Sequence, residues 1–95
     1  MTYRLSEKVR ADIDGILDYT WSRYGEAQAR RYYLDLRDAM DLLADNPLIA
    51  RERDEYAPPV RIHPHGRHVI VYREEDGGIL IVRVLHQSMD IGEAL

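Results

Sequence analysis

Eight side chains able to bind anions or carry protons fall in one stretch: Arg61, His63, His65, Arg67, His68, Arg73, Arg83 and His86. Guanidinium and imidazole groups gathered this way suit an anion-binding surface, for RNA or for an acidic protein region. The plainer reading is that most are solvated or paired with Glu74, Glu75 and Asp76. Arg83 stands apart because it interrupts the otherwise apolar run Ile79–Leu85. A guanidinium in such a place needs partners. Its loss is expected to reduce activity without unfolding the domain.

The imidazoles have a second reading as metal ligands. His63 and His65 share a face if they lie in a strand, and His68 follows closely. Pro64 between them disturbs regular strand geometry, and no cysteine or well-spaced carboxylate completes a site. No metal or cofactor is expected. Ser88, His86 and Asp90 supply the residue types of a hydrolytic triad, but near neighbours in sequence rarely reach that geometry. No glycine-rich phosphate loop or dinucleotide fingerprint is present. Tyr19, Trp21, Tyr24, Tyr32 and Tyr33 form a second concentration, suited to filling a helix interface or to recognising a partner helix.

These groups must be positioned by a single small domain, because 95 residues leave no room for a second core. The chain is 45% hydrophobic and 32% charged, an ordinary balance for a folded protein. It has no apolar run long enough to cross a membrane and no signal-peptide pattern, so the cytoplasm is the expected location. With no cysteine, thiolate chemistry and disulfides are excluded. The net charge of −4 gives no long-range attraction to nucleic acid. Thirteen cations include only one lysine, Lys8, so arginine carries nearly all the positive charge. Coding bias accounts for part of that skew; the planar guanidinium fork also suits paired, interfacial contacts.

Hydrophobic spacing then gives the elements. Tyr3–Leu5 alternates as an edge strand, and Ser6 followed by Glu7 is a helix start. Val9, Ile13, Ile16, Leu17, Thr20, Trp21 and Tyr24 recur at three and four, and Gly25 ends that helix. A second helix begins near Glu26 with Ala29, Tyr33, Leu36, Met40 and Leu43 inward and Tyr32 and Ala44 on its flanks. It stops at Asn46-Pro47. Residues 47–59 read as a connecting loop. Three strands follow, Val60–His63, His68–Arg73 and Ile79–His86, with a hairpin signal at Glu75-Asp76-Gly77-Gly78. The order β-α-α-β-β-β predicts an α+β fold, a helical hairpin on one face of a mostly antiparallel four-stranded sheet.

In the last strand, Leu80, Val82 and Val84 form one row and Ile79, Ile81, Arg83 and Leu85 the other. The first row is expected under the helices. The second stays too apolar for a solvated face, so a partner is expected to cover it in preference to the short tail with Met89, Ile91 and Leu95.

Several ordered motifs carry a resemblance. Tyr3-Arg4-Leu5-Ser6, Asp14-x-x-x-Asp18-Tyr19, Trp21 and Tyr24-Gly25-Glu26-x-x-Ala29 resemble the start of ParE-type toxins in the RelE/ParE superfamily. Leu42-Leu43-Ala44-Asp45-Asn46-Pro47 and Arg61-x-x-Pro64-x-Gly66-x-His68-x-Ile70-x-Tyr72 continue it. Ile81-x-Arg83-Val84-Leu85-His86-Gln87-x-Met89-Asp90 completes it, so the likeness spans nearly the whole chain.

The resemblance implies the RelE/ParE-like form of the fold derived above, over residues 1–95. It implies the toxin of a type II toxin–antitoxin system, associated with plasmid or chromosome stabilisation. A ParD-like antitoxin would wrap the chain in a hetero-oligomer, and DNA gyrase would be the target. Alternatives are ribosome-dependent mRNA cleavage, as in RelE-like relatives, and a non-toxic antitoxin-binding relative. Cleavage would draw on Arg61, Arg83 and His86; with one lysine and no tyrosine in the tail, no catalytic set is expected. Target-binding candidates are Arg61, Arg67, Arg83, His86, Met89 and Asp90. Antitoxin-binding candidates are Tyr19, Trp21, Tyr32, Ile79, Ile81 and Leu85. Sequence-specific nucleic-acid binding by the chain alone is not expected.

Overall fold

A computed structural model describes residues 2–95. The first strand, β1 (Thr2–Leu5), leads straight into α1 (Glu7–Tyr24). Ser6 caps that helix: its Oγ accepts from Val9 N at 3.2 Å and its hydroxyl donates to Val82 O at 2.7 Å. One residue therefore satisfies an orphan helix donor and fixes α1 against the sheet. Gly25 alone links α1 to α2 (Glu26–Asp45); its φ of 92° is open to glycine and strained for other residues. A 3₁₀ turn (Pro47–Ile49) follows the Asn46-Pro47 stop.

The sheet has five strands where the sequence predicts four. Its order is β1-β5-β4-β3-β2, with β2 (Glu52–Arg53), β3 (Val60–His65), β4 (His68–Glu75) and β5 (Gly78–His86). The added strand β2 is two residues inside the predicted loop, paired with Val60 and Arg61. Backbone pairing of so short a charged segment leaves no side-chain periodicity to read, and charge suits an edge. β3 runs two residues past its predicted end and includes Pro64, opposite Val69. Since β2 covers only Val60 and Arg61, the missing proline donor falls where the outer edge of β3 is unpaired. β1 joins β5 in parallel; the other pairings are antiparallel.

The helices cover one face. Val9, Ile13, Leu36, Met40 and Leu43 pack onto Ile70, Tyr72, Ile79, Ile81 and Val84. Burying each aliphatic side chain of this kind contributes about 1.5–3 kcal/mol. Tyr72 is wholly buried and still satisfied, its hydroxyl donating to Pro47 O at 2.9 Å.

Two expectations about β5 are corrected. The row under the helices is Ile79 and Ile81, continued by Val84, and not Leu80, Val82 and Val84. The register explains the exchange: Tyr72 opposes Ile81 and Val71 opposes Arg83, leaving Val82 as an extra residue. Such a bulge inverts the alternation on either side of it.

The second face is also covered, by the chain itself. Val60, Val71 and Leu85 form a smaller core roofed by Tyr56 and by Ile91 and Ala94 of α3 (Ile91–Ala94). The short tail therefore does what was assigned to a partner. Ile79, Ile81 and Leu85, expected as antitoxin contacts, are 0%, 0% and 2% exposed and offer no surface.

Candidate functional site

Arg83 sits at a three-way junction. Its Nε and Nη2 donate to the two oxygens of Asp12 on α1, each at 2.8 Å, and its Nη1 donates to Ala94 O of α3. Asp12 accepts a third bond from Val84 N at 3.0 Å, capping an edge amide beyond the end of β1. The side chains are 16% and 12% exposed, and the carboxylate holds Arg83 firmly protonated. A bidentate, desolvated pair of this kind joins helix, sheet and tail. Arg83 therefore has a structural role at this junction, and its loss is expected to loosen the fold there. In the sequence Asp12 lies among the polar positions between the apolar ones of α1, and its only signal is a place beside the buried Ile13.

Arg61 is likewise engaged. Its Nη1 donates to Ala50 O and its Nη2 to Glu74 at 2.9 Å, tying β3 to the end of the 3₁₀ turn. Cross-strand partners share a face, so Arg61 belongs with Tyr72 on the helix side and Arg83 with Val71 on the other. The two arginines considered for a nuclease are thus not brought together.

Other candidates do converge, at the end of the sheet where β3 turns into β4 and β5 stops. Gln87 N donates to Arg67 O at 2.9 Å, and Met89 N to His86 O at the same distance. Arg67, His86, Met89 and Asp90 are all exposed there. His86 Nδ1 lies 2.7 Å from Ser88 Oγ, but Asp90 caps α3 by accepting from Glu93 N. The third member of a triad is therefore committed elsewhere.

Behind this rim lies an aromatic and imidazole cluster that sequence does not reveal. Tyr32 Oη is 2.7 Å from His68 Nδ1, and the Tyr32 ring packs against His65 and His68. His68 meets His86 edge to face with centroids 5.6 Å apart. Burial pushes the Tyr32 hydroxyl up to about 12, so it stays protonated, and which of the two groups donates follows the tautomer of His68. Among the described residues no three carboxylate or imidazole groups are placed to hold a metal ion.

Burial lowers the pKa of both His65 and His68. For His65, Asp35 opposes the effect and His63 adds to it; for His68, His86 and His65 add to it. Both folded values lie below the unfolded one, so the unfolded chain binds more protons in between. The neutral cluster stabilises fully above about pH 6.5 and that stability is lost as pH falls below it. Melting temperature should therefore drop between about pH 7.5 and about pH 5.5, and a His65→Gln/His68→Gln variant should show a flatter profile. Equal slopes for the two proteins would exclude the histidines as the cause.

The helical hairpin is less buried at its tip than its periodicity predicts. Trp21, Tyr24 and Tyr33, read as inward, are 56%, 62% and 42% exposed, and α1 buries Val9 and Ile13 in its first half alone. Tyr19, at 57%, is open as well, and Tyr32 is half-buried against the histidines. An open groove of about 560 Å³ runs between the helices there, with Trp21 and Tyr33 in its walls. No helix among the described residues is long and apolar enough to cross a membrane.

Comparison with known proteins comes to the same architecture. Residues 3–91 match the family model described as the ParE toxin of the type II toxin–antitoxin system parDE. Toxin ParE1 of Mycobacterium tuberculosis is 42% identical over 94 residues, covering 98% of this chain and 96% of that protein. Toxin ParE1 of Caulobacter vibrioides is 35% identical, covering 93% and 91%, and Toxin ParE of Escherichia coli 31%, covering 94% and 87%. A solved chain from the chromosomal ParDE TA system of P. aeruginosa superposes with a TM-score of 0.77 at 22% identity, covering 90% of this chain and 95% of that one.

Proposed function

This chain belongs to the ParE toxin family of type II toxin–antitoxin systems, and from that premise we propose that it acts by binding DNA gyrase in the cytoplasm, without catalysis, and is neutralised by a ParD-like antitoxin. The observation that supports binding over catalysis is the commitment of Arg61 and Arg83 to Glu74, Ala50, Asp12 and Ala94. Stabilising a phosphorane-like transition state needs donors free to follow the developing charge. These two arginines are engaged and belong to opposite sheet faces, and the single lysine, Lys8, stands exposed on α1. The groups exposed to a partner are the rim residues Arg67, His86, Met89 and Asp90. Exposed aromatics at the hairpin tip, Tyr19 and Trp21, offer the antitoxin a separate hold.

Purified protein is expected to block gyrase supercoiling and to accumulate cleaved DNA, and stoichiometric ParD-like antitoxin should reverse both. Full supercoiling at a large molar excess of the chain would refute the gyrase reading. A transcript cut in a translating extract, with cleavage lost in His86→Ala, would replace it with the nuclease reading.

A further inference from the structure

A row of imidazoles closes the helix side of the sheet at its rim end. His65, His68 and His86 oppose one another directly on β3, β4 and β5. Two residues further in on β4 and β5, the same face carries Ile70 and Val84, both buried under the helices. Aliphatic side chains in the last row would simply extend that core. Three imidazoles add less burial and set like charges against one another when protonated. What they supply instead is direction. A hydrogen bond and an edge-to-face ring contact each fix an orientation, which aliphatic packing does not.

Tyr32, on the flank of α2, anchors the row. Its Oη is 2.7 Å from His68 Nδ1, and its ring meets those of His65 and His68 at 5.5 and 5.6 Å between centroids. Gly66, in the turn between β3 and β4, lies against the same ring: a Cβ there would stand 3.8 Å from Tyr32 Cε1. From His68 the contact passes to His86, 5.6 Å away edge to face, and from His86 Nδ1 to Ser88 Oγ at 2.7 Å. The backbone ties the same pieces together, with Gln87 N donating to Arg67 O and Met89 N to His86 O. Arg67, His86 and Met89 of the rim are therefore all joined to the row that Tyr32 holds.

We propose that Tyr32 is a positioning residue: through His68 it holds the strand ends that carry Arg67 and His86, and so gives the target-binding rim its shape. A rim fixed beforehand does not have to be ordered on binding, and that saving appears as affinity. Tyr32 then serves target binding and stands apart from the antitoxin contacts at the hairpin tip. The identity of the target rests on the gyrase reading; the brace is a property of the fold.

Tyr32→Phe keeps the ring and removes the hydroxyl. Circular dichroism should show unchanged helicity, while in NMR spectra the His68 ring nitrogens shift and the Gln87 and Met89 amides exchange faster with solvent. Roughly fivefold more of the variant should be needed for half-inhibition of gyrase supercoiling. His68→Phe should cost about as much, and the double variant Tyr32→Phe/His68→Phe no more than either change alone, because all three break one contact. Unchanged exchange at Gln87 and Met89 in Tyr32→Phe overturns the brace, whatever the chain does to gyrase. Faster exchange at wild-type potency, or single losses that multiply in the double variant, overturns the role in target binding. A wild-type chain without effect on supercoiling refutes the gyrase reading, and amide exchange still decides the brace.

Discussion

Replacing Asp12 by alanine should lower the melting temperature by roughly 10–25 °C, about 2–4 kcal/mol at about 4–8 °C per kcal/mol for a domain of this size. The carboxylate makes two bonds to Arg83 and one to Val84 N. Its removal leaves a guanidinium 16% exposed with only Ala94 O as partner, and an edge amide with none. Deleting one partner of a fully buried pair costs about 3–5 kcal/mol; partial exposure trims that figure. Even so, the loss is a large share of the roughly 5–14 kcal/mol expected for a chain of this length. The double variant Asp12→Ala/Arg83→Met should recover part of it, because the stranded charge is gone. Calorimetry that finds Asp12→Ala melting within a few degrees of the parent would show that water solvates this junction freely. Loss of Arg83 should then reduce toxicity mainly by loosening the tail that covers Leu85.

Gly78→Ala should be nearly as disruptive, by about 1–3 kcal/mol and so roughly 5–20 °C. A Cβ at that position would lie 2.1 Å from the backbone oxygen of Thr2 and 3.0 Å from its carbonyl carbon. No flexible side chain can yield there, since Thr2 is paired with Gly78 in the parallel β1–β5 ladder. One of the two strands must move. β1 has only four residues and the outer position, so it should be displaced, with Ser6 and the start of α1 following. Gly77→Ala at the neighbouring turn is a different case: nothing lies within 4 Å, and the cost comes only from its φ of 80°. Hydrogen exchange should show β1 amides losing protection in Gly78→Ala alone. Retained protection there would mean that the two strands shift together and keep their pairing.

The sequence-level reading reached the helices almost to the residue because their signals are local. Ser6, Gly25 and Asn46-Pro47 act through their own backbone angles and hydrogen-bonding groups, whatever surrounds them. The β-hairpin at Asp76-Gly77 was readable for the same reason. Residues 52–53 were not, because a two-residue edge strand is defined by the neighbour that accepts it.

Which face of β5 is inside was also beyond the pattern. Both of its rows are apolar, and the single extra residue at Val82 exchanges them. Apolar content alone could not distinguish a tail from a partner as the cover over Val71 and Leu85; contacts from Ile91, Ala94 and Tyr56 decided it. Among the site candidates, Arg67, His86, Met89 and Asp90 are neighbours in space because two strand ends meet. Tyr32 and His68 meet although thirty-six positions separate them.

The order of the main elements, the two long helices with their caps, and membership of a toxin family were legible in local pattern and in motifs spread over the chain. Only the tertiary structure decided what Arg83 does. An arginine in an apolar strand announces that it needs a partner, but a guanidinium's energy depends on whichever carboxylate and carbonyl reach it. Asp12, seventy-one residues away, became that partner once the capped start of α1 was laid along the open edge of β5.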